Sequence, residues 1–122
     1  MARTYIAAGD VLTLTAPTGG VVAGTAYLIG GMVVVAQTTV AQTLPFDGYV
    51  TGVHSMTKVG SQAWAEGALV YWDNSAKNFT TTATSNYRAG TAVVATGSGA
   101  GETVGVVRLN GVAVTVVGGA AP

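Results

Sequence analysis

The chain has no cysteine, only three prolines, and just five basic and five acidic residues among 122. Without cysteine there is neither a disulfide frame nor a thiolate metal site, so stability rests on packing and hydrogen bonds. Charged residues make up 8% of the chain, where soluble domains usually carry about 25%. Such dilute charge suits a surface that other protein covers, which puts assembly ahead of catalysis as the first reading. The five cations, Arg3, Lys58, Lys77, Arg88 and Arg108, are scattered, and the formal net charge is zero. Binding to phosphate backbones needs clustered Lys and Arg, so no nucleic-acid partner is read.

Long apolar runs are missing as well. Hydrophobic residues reach 49%, yet the longest apolar stretch, Leu28 to Ala36, is broken by Gly30-Gly31. It falls far short of the roughly 20 residues of a membrane helix. Aromatic girdles of the kind an outer-membrane barrel carries are lacking too, so no membrane partner is read. The start of the chain meets Asp10 before an apolar export segment forms, and the expectation is synthesis in a cytoplasm.

What the chain does have is strand grammar: 18 glycines and short runs of Val and Thr, punctuated by Gly, Asn, Asp or Pro. Asp10 to Ala16 alternates, with Leu12, Leu14 and Ala16 on one face and Val11, Thr13 and Thr15 on the other. Pro17-Thr18-Gly19-Gly20 reads as a turn. Ala26 to Ile29 and Met32 to Gln37 read as a hairpin around Gly30-Gly31. Gln42 to Gly48 contains Pro45 and Asp47-Gly48 and reads as a loop, followed by a strand from Tyr49 to Met56. Leu69 to Trp72 and Phe79 to Thr82 form a second hairpin about Asp73-Asn74-Ser75-Ala76. Ala89 to Ala95 pairs with Thr103 to Leu109 across the glycine-rich Gly97 to Gly101. Asn110-Gly111, set between Val106 to Leu109 and Val112 to Val117, is the strongest short hairpin signal of all. Apart from a possible helical turn at Ser61 to Glu66, no helix is expected. The fold class is all-β: a single compact β-barrel or β-sandwich of short antiparallel strands, with little or no helix.

Signals for chemistry are weak. Gly97-Ser98-Gly99-Ala100-Gly101 looks like a phosphate cradle, but Glu102 stands where a third glycine belongs and no helix follows, so it reads as a linker. His54 is the only histidine and has no nucleophile elbow around it, so a hydrolase triad has no support. A lone His without Cys makes no structural zinc site, and no calcium loop is present, so no metal or other cofactor is expected. Asp10, Asp47, Glu66, Asp73 and Glu102 all lie beside turns or strand ends, as solvating carboxylates do. Asn78-Phe79-Thr80 matches a glycosylation sequon by chance alone. Trp64, Tyr71 and Trp72 suit a core or an interface. Alternatively, Trp64 or Trp72 is a stacking platform in a carbohydrate-binding or adhesin module.

In order along the chain, Ala8 to Pro17 with Gly19-Gly20-Val21, Ala63 to Asp73, Lys77 to Thr84, and Val106 to Gly111 resemble the small head-decoration, or capsid cement, proteins of tailed phages. The Gly67-Ala68-Leu69-Val70-Tyr71-Trp72-Asp73 block is the most specific part. The resemblance implies a structural virion protein, not an enzyme. Such a protein binds the outer surface of an expanded capsid and stabilises it by bridging major capsid subunits, as a homotrimer. The implied partners are the major capsid protein and the chain's own copies. The expected organisation is an N-terminal arm over residues 1–9, a β domain over 10–117 and a flexible tail over 118–122. Arg3, Tyr5 and Ile6 of the arm are the expected contacts to the shell or a sister subunit. The family pattern ends near Arg108 to Gly111, whereas here Val112 to Val117 adds another apparent strand.

Overall fold

The computed structural model of the protein describes residues 8–117. The described residues make nine strands: β1 (Val11–Thr15), β2 (Ala26–Ile29), β3 (Met32–Ala36), β4 (Pro45–Tyr49), β5 (Thr51–Thr57), β6 (Leu69–Asp73), β7 (Asn78–Thr80), β8 (Tyr87–Ala92) and β9 (Val104–Asn110). They form two antiparallel sheets, in the order β1-β4-β3-β2 and β5-β9-β8-β6-β7. Among the described residues there is no helix, and the fold is all-β and compact. The larger sheet curls until Lys58, just past β5, bridges Phe79 on β7 and the Val59 N–H donates to the Phe79 carbonyl. Its concave face is filled by Trp64, Val70, Trp72, Phe79, Val107 and Leu109, and Ala26, Val33 and Val35 of the smaller sheet close over them.

Because β3 reads Met-Val-Val-Val-Ala, it is apolar on both faces, and the fold uses both. Val33 and Val35 enter the core shared with the larger sheet. Val34 and Ala36 point the other way, into a second cluster with Phe46, Val50 and Ala16 that Val21 caps. Strand β4 overturns the reading of Gln42 to Gly48 as a loop, since its second half lies between β1 and β3. Pro45 is tolerated at the strand's first position, where it pairs only with Thr15 of β1 and faces no donor-hungry carbonyl of β3. A Cβ at Gly48 would stand close against the Phe46 ring at 3.1 Å and Val34 at 3.4 Å, so the position is tight.

The strand expected from Tyr49 to Met56 is two strands in different sheets. Tyr49 ends β4 and Thr51 opens β5, with the buried Val50 N–H donating to the Asp10 carbonyl at the crossing. The Asn110-Gly111 hairpin does not form. Strand β9 already has β5 on one side and β8 on the other, so no edge is left for a following strand to pair with. Residues 111–117 instead run as a strap: the Val114 N–H donates to the Gly31 carbonyl and the Val117 N–H to the Asn86 carbonyl. A Cβ at Gly31 would fall on the Val114 carbonyl, so this crossing admits only glycine. At Ser61 to Glu66 there is no helical turn, because Trp64 is held extended by paired backbone bonds to Thr96.

Candidate functional site

The interior is closed to chemistry by its own hydrogen bonds. Trp64 and Trp72 are each 2% exposed, and their indole N–H groups donate to Gln62 Oε1 at 2.9 Å and Asn74 Oδ1 at 3.0 Å. Tyr71, on the opposite side of β6, is half-buried. No exposed indole is therefore offered to a sugar ring. Gln62 also accepts from the Thr81 N–H at 2.8 Å, so one side chain fixes the Trp64 loop to the end of β7. Among the described residues no buried side-chain polar atom lacks a partner.

Lys58, read from sequence as one of several scattered cations, is 1% exposed. Its ammonium donates to the Val59 carbonyl at 2.9 Å and the Glu102 carbonyl at 3.1 Å, and lies 5.6 Å from the Trp64 ring centroid. This is a cation–π contact away from bulk water, with backbone oxygens in place of a counter-ion. Beside it, the glycine-rich loop cradles an anion, but that anion is the chain's own Glu102 carboxylate. The Gly97 and Gly99 N–H groups donate to it at 3.0 and 2.9 Å. Those two backbone bonds, Gly99 first, hold the Glu102 carboxyl below the usual carboxylate range, with a smaller contribution from the Lys58 charge. Sequence offered no signal for this clamp, because Lys58 and Glu102 are 44 residues apart.

Elsewhere acid and base groups do not converge. His54 Nε2 bonds the Thr51 carbonyl at 3.0 Å and its ring tilts against Tyr49 at 5.2 Å, with no carboxylate in that pair. A groove of about 500 Å³ beside β2 is lined by Tyr27, Leu28, Asn74 and Lys77 and holds no carboxylate. A second of about 420 Å³ holds Asp73, whose Oδ1 already caps the Ser75 and Ala76 N–H groups. No group of three or more metal-ligating side chains exists among the described residues.

The prominent surface feature is the outer face of the five-stranded sheet. Alternation that sends Val107 and Leu109 inward sends Val104, Val106 and Arg108 outward. Val53, Leu69 and Val104 are 57%, 49% and 61% exposed there. The register places Val53, Arg108 and Thr91 side by side on β5, β9 and β8, with Leu69 of β6 next in the row. Arg3, Tyr5 and Ile6 lie outside the described residues. What can be placed is the point from which they lead: the Asp10 carboxylate accepts from Thr51 Oγ1 at 3.1 Å, beside the start of β5.

A closed β core with a sheet face that leaves Val53, Leu69 and Val104 bare is the build of a structural protein that works by contact. A family model described as phage cement protein matches residues 6–109, and the chain belongs to that family. It is thereby associated with the phage capsid as a virion component. No curated protein and no solved structure matches the chain. The match stops at residue 109, so the strap at 111–117 is outside it.

Proposed function

We propose that this protein binds the outer surface of an expanded phage capsid and stabilises it by bridging major capsid subunits, as a homotrimer made in the host cytoplasm. The observation that supports it best is the outer face of the larger sheet, where Val53, Leu69 and Val104 stay exposed although the protein has a complete core elsewhere. An ordinary interface buries about 800 Å² per partner. Apolar burial at about 25 cal/mol per Å² then stabilises by about 20 kcal/mol gross, most of it offset by lost translational freedom and polar desolvation. Repetition restores the balance, because an oligomer that touches several shell subunits gains avidity without any new kind of contact.

The segment Ala2 to Ala8, with Arg3, Tyr5 and Ile6, serves as the arm to the shell or to a sister subunit. It leads from Asp10, which is tied at the junction of the two sheets next to the open edge of β5. Purified protein mixed with undecorated capsids should cosediment with them and raise their heat resistance. Absence of both effects sinks the reading. Deleting residues 2–8 should lower capsid occupancy, and unchanged occupancy removes the arm while leaving the rest.

A further inference from the structure

Two exposed faces of this protein are built as opposites, and we propose that they dock on each other between copies. The first is the outer face of the larger sheet. Its central charge is Arg108, whose cross-strand neighbours are Val53 and Thr91, so no carboxylate stands across from it on either side. Arg88 adds a second cation beside Tyr71, and the only carboxylate of that face, Asp73, is at the far end of β6, tied to its own turn. The second is the part of the smaller sheet that overhangs the shared core. There β1 and β4 turn Thr13, Thr15, Pro45, Asp47 and Tyr49 outward, all of them exposed. On the same face the next strand, β3, is already buried against the larger sheet through Val33 and Val35. Among the described residues Asp47 is the single charge of this overhang, and Thr13 Oγ1 donates to its Oδ1 at 2.7 Å.

Arg108 on the one face and Asp47 on the other thus carry opposite charges, each beside β-branched neighbours, Val53 and Thr91 for the first and Thr13 for the second. Like faces repel: two copies joined by the Arg108 face would bring Arg108 and Arg88 toward their own duplicates. Unlike faces satisfy both charges, which commits the contact to Arg108 of one copy against Asp47 of the next. Because the two patches differ, the contact is heterologous, and such contacts close into rings when the rotation between copies allows it. This rests on the cement reading and supplies the subunit contact that a ring-shaped oligomer requires.

The test is a charge-reversal cycle read by sedimentation equilibrium across a concentration series, on the full chain. The wild type should self-associate. Arg108→Glu and Asp47→Arg should each weaken association by about tenfold or more. The chain carrying both reversals should recover most of that loss, since each contact again pairs opposite charges. Both sites are exposed, so folding is expected to persist, and thermal melting of each variant checks it. A wild type that stays monomeric overturns the proposal, as does a single reversal without effect, or a double variant whose losses add. Should Arg108→Glu leave association intact but abolish capsid cosedimentation, the face belongs to the shell and the proposal falls. Wild-type capsid binding measured in parallel separates the two readings. A monomer that binds capsids keeps the cement function and removes the self-docking, whereas an oligomer that ignores capsids does the reverse.

Discussion

The five-stranded sheet hides Trp64, Trp72 and Phe79 on one face and leaves Val53, Leu69 and Val104 bare on the other. The four-stranded sheet buries β3 on both faces and thins toward its β1–β4 side into threonine, proline and one aspartate. Valine occurs in both sheets, so residue type alone does not decide burial. Position does: Val33 and Val35 are covered by the larger sheet and Val34 by Phe46, Val21 and Val50 on the other side, while among the described residues no second layer reaches Val53 and Val104.

The contrast breaks first if the aromatic core matters less than its size suggests. Trp64→Ala should destabilise the protein by about 3–5 kcal/mol in denaturant titration. Gly105 sits where a Cβ would collide with that indole, so this position has no side chain to refill the space. A cost under about 1 kcal/mol, the size of an average point change, would show that the larger sheet is not organised around Trp64. Next comes Lys58→Met, which leaves the Val59 and Glu102 carbonyls without their Lys58 donor. It should cost about 2 kcal/mol, and a stabilised variant would mean that desolvating the ammonium outweighs its bonds.

In the smaller sheet Val34 is fully buried, and Val34→Ala removes two methyl groups for about 1.5 kcal/mol. A loss as great as that of Trp64→Ala would invert the ranking of the two cores. Smaller still is the contribution of the Glu102 cradle. Its folded carboxyl is held below the unfolded value of 4.5. The stability it adds is therefore present above that pH and lost as pH falls through the lower, folded value. Glu102→Gln should flatten that part of an acid melting series, and an unchanged acid limb would remove the cradle from the account. Least of all, Val53→Thr on the bare face should change stability by under about 0.5 kcal/mol. Its effect should appear in self-association instead, and a clear loss of stability would mean the face is covered within the monomer.

Much of the fold could be read from residue pattern. The Ala26 to Ile29 and Met32 to Ala36 hairpin, the Leu69 to Asp73 and Asn78 to Thr80 hairpin, and the Pro17 to Gly20 turn, closed by the Gly20 N–H at 2.8 Å from the Pro17 carbonyl, are all local. They are encoded where they occur. Strand β4 was not legible, because Pro45 and Gly48 carry turn signals that tertiary packing overrides. The Asn110-Gly111 signal failed for the converse reason: a local hairpin preference cannot act when both sides of β9 are taken. Of the surface, the charge scarcity was legible but its placement was not. Arg108 stands between Val53 and Thr91 on the outer face. Such alternation assigns a face only once the sheet order is known.

That sheet order also governs how the chain assembles itself. Strand β9 is the last strand among the described residues, yet it fills the gap between β5 and β8. Until Val104 to Asn110 has left the ribosome, β5 has no partner in its own sheet and the β8-β6-β7 group has an open side. The larger sheet therefore closes only once β9 is available, and its β5–β9 pairing is distant in sequence and so slow to close. For as long as that lasts, two unpaired strand edges are exposed in a crowded cell, and a slow step of this kind is where a chain rich in Val and Thr is open to aggregation.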